Sequence, residues 1–235
     1  MSQKDQRLIV LAAGDAFELD GFPKLFARHP VNGKRILDLF CEFYQDYEIT
    51  VSLGYRAIEI MSAYPHLNYV VNSKWRTTKN SYSLGLALDN RPTTVVCADY
   101  MMSRETALLL EPFENAALVS KNESRVPTSL NAAIDDRLSV AEIYPGKRRG
   151  MDPEFLGMVK ISDPHALRAW KANCMAYPNL FVGENLPLDQ GVSIRSVDIE
   201  ENFFFEINNH QDYVRLLNET MGASSEAPTG VSLDA

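Results

Sequence analysis

The sequence has no run approaching the ~20 apolar residues that a bilayer-spanning helix requires. It is also poor in cysteine. Cys41, Cys97 and Cys174 lie far apart, each among apolar neighbours. That spacing offers neither a disulfide framework nor a metal-ligand pattern, so the three read as buried, reduced thiols of a cytoplasmic protein. Positive charge is in deficit: 23 Lys and Arg against 31 Asp and Glu give a net charge of −8 and a pI near 5.1. Such a chain lacks the clustered cations that displace counterions from a nucleic-acid backbone. A local cationic pocket for one small phosphorylated ligand stays compatible with these numbers. Met1 to Arg7 are polar and pass directly into Leu8-Ile9-Val10-Leu11, unlike the start of a cleaved leader. No membrane association and no internal repeat are expected.

What is present suits a folded enzyme-sized unit. Of 235 residues, 46% are hydrophobic and 23% charged, enough for a sizeable core. Leu8 to Ala13 is a short continuous apolar run, the mark of a strand covered on both faces. Lys34 to Tyr47 places Ile36, Phe40, Phe43 and Tyr47 at helical spacing. Strands are then expected at 48–54, 68–72 and 93–98, and helices at 56–64, 81–88 and 103–110, with Ser103 as an N-cap. This alternation implies right-handed crossovers and a parallel sheet. Ligands on such sheets bind at the carboxyl ends of the strands, here Ala13-Gly14, Gly54-Tyr55, Asn72 and Asp99. The second half is richer in strands, at 116–121, 129–134, 138–143, 155–161, 193–199 and 203–207, with a turn at Asp135-Asp136. Asp163-Pro164 starts a helix reaching about Tyr177, and a last helix spans 211–221. Lys147-Arg148-Arg149 reads as a solvated basic turn, and 222–235 as a frayed tail.

Four segments carry candidate chemistry. Leu11-Ala12-Ala13-Gly14 ends a strand where backbone N–H groups can approach a phosphate, and Lys24, preset by Pro23, supplies a mobile point charge. Asp99 follows a buried strand, where a hard cation would be held beside phosphates. "NSKWRTTKNSYSL", residues 72–84, is dense in amide and hydroxyl groups able to grip a ligand. "FFFEINNHQDY", residues 203–213, delivers Glu206 and Asn208 to one face of a strand. Each segment taken alone is equally consistent with turns, caps and packing.

In this order the segments resemble the nucleotidyltransferase family of the Rossmann-like, glycosyltransferase-A type, in particular its phosphocholine and aminoethylphosphonate cytidylyltransferases. The resemblance covers roughly residues 7–221. It implies an α/β fold with a mixed, mainly parallel central sheet flanked by helices and a smaller β-rich acceptor-binding portion. One domain over 1–221 is implied, with a nucleotide half near 7–113 and an acceptor and metal half near 114–221. The implied reaction is Mg²⁺-dependent transfer of a nucleoside monophosphate, from CTP, to a phosphorylated or phosphonate small molecule, releasing pyrophosphate. Lys24 and Asp99 would be the catalytic residues. Leu11, Ala12, Ala13, Gly14, Lys24, Asn80 and Ser81 would bind nucleotide. Asn72, Trp75, Tyr82 and Ser83 would face the acceptor, the two aromatics by cation–π contact with an amino or trimethylammonium head. Asp99, Glu206 and Asn208 would hold Mg²⁺, with Asp212, at the acidic helix start, as a further implied ligand.

Two segments depart from the family pattern. Its loop reads G-x-G-x-R, whereas here Ala16 replaces the second Gly and Glu18 falls where the Arg would be. A carboxylate 4 Å from a phosphate charge costs about 1–4 kcal/mol at effective dielectrics of 80 to 20. Asn208 also stands where the family has a metal-binding Asp, which removes one negative charge from the site. Three readings follow. The loop carboxylates face solvent while Lys24, Arg28, Lys34 or Arg35 takes the phosphate; they bind a second Mg²⁺; or the site has lost turnover. Sugar-phosphate nucleotidyl transfer and silent nucleotide binding therefore stay open as alternatives, as does pairing of the chain into a homodimer.

Overall fold

The computed structural model describes residues 5–15, 19–121 and 130–224. Glu18 of the opening loop, the start of the strand expected at 129 and the end of the expected tail lie outside them. The central strand β1 (Arg7–Ala12) pairs in parallel with β2 (Glu48–Leu53) on one side and β4 (Thr93–Cys97) on the other. Leu8, Ile9 and Val10 are fully buried, as the continuous apolar run requires. Successive side chains leave opposite faces of the sheet. Leu8 and Val10 accordingly join one core with Ile36, Leu37 and Phe40 of helix α1 (Ile36–Phe43) and Ile60 of α2 (Ala57–Ala63). Ile9 and Leu11 join a second core with Leu84 of α3 (Asn80–Ala87) and Trp170 of α5 (Pro164–Ala176). Each such side chain contributes about 1.5–3 kcal/mol on burial.

The main sheet has the order β10-β6-β9-β4-β1-β2-β3, where β3 is Asn68–Val71, β6 Asn115–Ser120, β9 Glu154–Ile161 and β10 Arg195–Asp198. Strand β9 runs antiparallel between β4 and β6 and joins the two halves of the sequence in one sheet. A hairpin of β7 (Leu130–Ile134) and β8 (Val140–Pro145) attaches to β9. Its turn is closed by Asp135 Oδ1, which accepts from the Arg137 and Ser139 N–H groups. The β-rich portion thus extends the central sheet.

Ser103 caps the short helix α4 (Arg104–Leu108) by accepting from Thr106 N, and Asp163 caps α5 by accepting from His165 N, both as expected. Helix α1 starts later than the periodicity predicts because Arg35 is extended and bridged to Arg28. Helix α6 (His210–Ser224) runs past Gly222, where a tail was expected. A strand missed in the sequence, β5 (Tyr100–Met102), pairs antiparallel with β11 (Phe204–Glu206) in a separate two-stranded sheet. Three residues are too few to leave a periodic signal. No helix among the described residues is long and apolar enough to cross a membrane.

Candidate active site

The β5–β11 pair builds the site. Tyr100 lies opposite Glu206, and Ile207 N donates to the Asp99 carbonyl at 2.9 Å. Asp99, Glu206 and Asn208 thereby meet at the carboxyl end of β4. Lys24 arrives from the other side. Pro23 fixes the entry to a single 3-10 turn over Lys24–Phe26, and buried Leu25 and Phe26 anchor it. Lys24 Nζ donates to Asp99 Oδ2 and to Asn208 Oδ1, each at 2.9 Å.

Lys24 and Asp99 stand at the junction of two open spaces. The smaller, about 150 Å³, is lined by Leu11, Ala12, Gly14, Asp15, Pro23 and Asn80 among others. The larger, about 480 Å³, is lined by Tyr100, Glu154, Phe155, Phe181, Glu206 and Asn208 among others. Asn80, Cys97, Lys24 and Asp99 border both. Among the described residues, Lys24 faces four lining carboxylates: Asp15, Asp99, Glu154 and Glu206.

That imbalance shows in the proton affinities. Burial, then the Asp99 charge, pushes the Glu206 carboxyl up to about 7, while Asn208 and Lys24 act in the opposite sense. Burial opposes the Lys24 charge most strongly, yet Asp99 and Glu206 outweigh it and hold the ammonium pKa above its ordinary value. Burial first, and the same two carboxylates second, push the Cys97 thiol far up, so it is an inert wall and not a nucleophile.

The other sequence-selected residues divide clearly. Leu11 and Ala12 line the smaller space. Among the described residues a Cβ added to Gly14 would meet nothing within 4 Å, so the smaller space is open beside this glycine. The Ala13 carbonyl accepts from Tyr55 N instead. Asn80 borders both spaces, its Oδ1 held by Val182 N at 2.9 Å. Asn72, Ser81 and Ser83 are buried and bonded within the chain: Asn72 Nδ2 donates to Ser83 Oγ, and Asn185 Nδ2 to Ser81 Oγ. They shape the 72–84 loop and reach neither space. Trp75 and Tyr82 also lie outside both, and the chain supplies their cations. Arg76 sits over Trp75 at 4.3 Å and Lys74 over Tyr82 at 5.6 Å.

Asp212 forms a capping box with Asn209 at the start of α6: Asn209 Oδ1 accepts from Asp212 N, and Asp212 Oδ2 accepts from Asn208 N and Asn209 N. Of the expected substitute cations, Arg28 donates to Gly33 O, Lys34 pairs with Glu42, and Arg35 covers Phe26 at 4.4 Å. None of the three lines the smaller or the larger space. In the basic turn, Arg149 makes a bidentate pair with Glu142, as a solvated turn would.

Three solved structures share this architecture. The CTP:phosphocholine cytidylyltransferase LicC from Streptococcus pneumoniae superposes with a TM-score of 0.72 at 18% identity, covering 92% of this chain and 99% of its own. The inositol-1-phosphate CTP transferase from T. maritima gives 0.69 at 19% identity, covering 97% and 100%. HddC from Yersinia pseudotuberculosis gives 0.63 at 14% identity, covering 91% and 99%. The chain has the nucleotidyltransferase fold. Its sequence matches no protein-family model and no curated relative.

Within this nucleotidyltransferase fold, the lining residues that escaped the sequence reading include Tyr100, Glu154, Phe155 and Phe181. One signal was available. Gly157 lies inside a buried strand, at φ +69°, and a Cβ there would come within 2.5 Å of Tyr100 Oη. A glycine in a strand interior marks such a close approach.

A divalent ion fits the donor set. Asp99, Glu206 and the Asn208 carbonyl oxygen are the oxygen ligands a hard cation takes. Asp99 Oδ1 is buried without a hydrogen-bond partner among the described residues, a cost that a bound cation would remove. Among the described residues no three His, Cys, Asp or Glu side chains are grouped closely enough to hold a metal ion by themselves, so the amide oxygen would have to complete the set.

Proposed function

We propose that the chain is a nucleotidylyltransferase, using CTP, that joins a nucleoside monophosphate to a phosphorylated or phosphonate small molecule and releases pyrophosphate. The observation that carries this reading is Lys24 and Asp99 at the junction of two open spaces, one beside Gly14 and one among Phe155, Glu154 and Glu206. An anionic acceptor oxygen forms a bond to the α-phosphorus while the bond to the bridging oxygen of pyrophosphate breaks. No strong general base is needed, so catalysis is positioning and charge neutralisation. Lys24 offsets charge on the triphosphate from the Gly14 side. Asp99, Glu206 and Asn208 would hold Mg²⁺, which lowers the repulsion between the acceptor and the triphosphate. The fold supports the reaction class; the choice of CTP rests on the resemblance in the 72–84 segment.

The larger space favours an acceptor with a cationic head, because it pairs the aromatic rings of Tyr100 and Phe155 with buried carboxylates. The deciding experiment is pyrophosphate release with Mg²⁺ across CTP, UTP, ATP and GTP. The acceptor panel is phosphocholine, aminoethylphosphonate, phosphoethanolamine, glycerol phosphate and hexose 1-phosphates. Turnover with CTP and a phospho- or phosphono-amine is expected. Turnover with a hexose phosphate alone would establish the sugar-phosphate reading. Binding of triphosphate without turnover on any acceptor would establish the silent reading, which the amide at Asn208 favours.

A further inference from the structure

Lys24 occupies the place a divalent ion would take. Its ammonium is bonded to Asp99 Oδ2 and Asn208 Oδ1, two of the oxygens offered to a metal, each at 2.9 Å. A divalent ion on the same oxygens would lie beside that ammonium, and the two cations would repel each other there. The geometry points to an exchange built into the site: in the resting protein Lys24 is the resident cation, and a divalent ion enters only when a polyphosphate has drawn the ammonium toward Gly14. The identity of that polyphosphate as a nucleotide rests on the proposed function.

The surroundings suit such a movement. The turn that carries Lys24 is pinned by buried Leu25 and Phe26, so the backbone stays while the flexible four-carbon stem swings. Lys24 borders both spaces, so both are within the surroundings of its side chain. Asn208 holds Lys24 through a neutral amide oxygen, and so without a second full ion pair that would resist release. Asp99 Oδ1, buried and without a partner, is the acceptor that the ammonium leaves unsatisfied and that an incoming ion would satisfy.

Two measurements test the exchange. Lysine-labelled wild-type protein is followed by NMR, the Lys24 signal being assigned with Lys24→Arg. Mg²⁺ alone should leave that signal in place, and inorganic tripolyphosphate alone should shift it. Mn²⁺ binding without any nucleotide should tighten about tenfold or more in Lys24→Met, since the competing ammonium is gone. Displacement of the wild-type Lys24 signal by Mg²⁺ alone, or unchanged Mn²⁺ affinity in folded Lys24→Met, would overturn the exchange. The wild-type arm needs no substitution and survives a variant that fails to fold. Absence of pyrophosphate release with the expected NMR and Mn²⁺ results would remove the proposed function and leave the exchange standing.

Discussion

Two charged clusters sit at opposite ends of the central sheet, and they are built differently. At the amino ends, Arg7 and Arg91 face Glu48 and Asp89. Arg7 bonds Thr50 Oγ1, the Ala87 carbonyl and Asp89, while Arg91 grips both Glu48 oxygens and Asp89. Two positive charges meet two negative ones there. At the carboxyl ends, one lysine stands against several carboxylates, an Asp99 oxygen has no partner, and Glu206 is pushed up to about 7. Hydrogen bonding to Arg91 instead holds Glu48 below its usual range, and the same residue outweighs burial at Asp89. A balanced cluster fastens a chain; an unbalanced one is prepared for a charge that the chain does not supply.

Substitutions can break this contrast. The largest effect is expected from Asp99→Asn, which keeps the shape but removes the central charge: pyrophosphate release should fall on the order of 10²–10³-fold. Its melting temperature should stay within the wild-type range, and a large drop would mark Asp99 as structural. Arg7→Met should do the reverse. Leaving Thr50 and Ala87 without their donor should cost about 2–3 kcal/mol in urea unfolding, with turnover per folded molecule unchanged.

The two ends should also respond oppositely to pH. Glu206 binds its proton more tightly in the folded state, so its contribution to stability falls as pH rises from 4.5 to about 7. Glu206→Gln should remove this slope, on the order of 3 kcal/mol, as read from unfolding curves across that window. Glu48 and Asp89 are depressed, so the stability they contribute is present above their unfolded values and is lost as pH falls through the folded ones. The smallest effect belongs to Arg91→Gln. Its side chain is 26% exposed, and the loss should be about 1 kcal/mol or less, present above the ordinary carboxylate values of 4.5 and 3.8 and fading as pH falls below them.

Most of the sheet was legible because buried parallel strands write themselves as unbroken apolar runs, as in Leu8 to Leu11. Caps such as Ser103 and Asp163 were legible because a side chain bonds its own local backbone. Lys24, Asp99, Glu206 and Asn208 were selected from short local patterns, and the structure brings all four together. Asn72, Ser81 and Ser83 come from an equally distinctive segment, yet their polar atoms are buried and bonded to one another and to Asn185. A polar pattern in sequence does not say which way a hydroxyl faces. The walls of the larger space were illegible for a different reason. Glu154 and Phe155 sit on β9, whose antiparallel insertion between β4 and β6 has no local signature.

The Lys24–Asn208 hydrogen bond joins residues 184 positions apart. A polypeptide leaving the ribosome therefore presents Gly14, Lys24 and Asp99 early and receives Glu206 and Asn208 almost last. Until β11 pairs with β5, Lys24 and Asp99 have only each other. Whatever reactivity this centre has is acquired in a single late step of biosynthesis, and a chain released before that step would carry the sheet but not the chemistry.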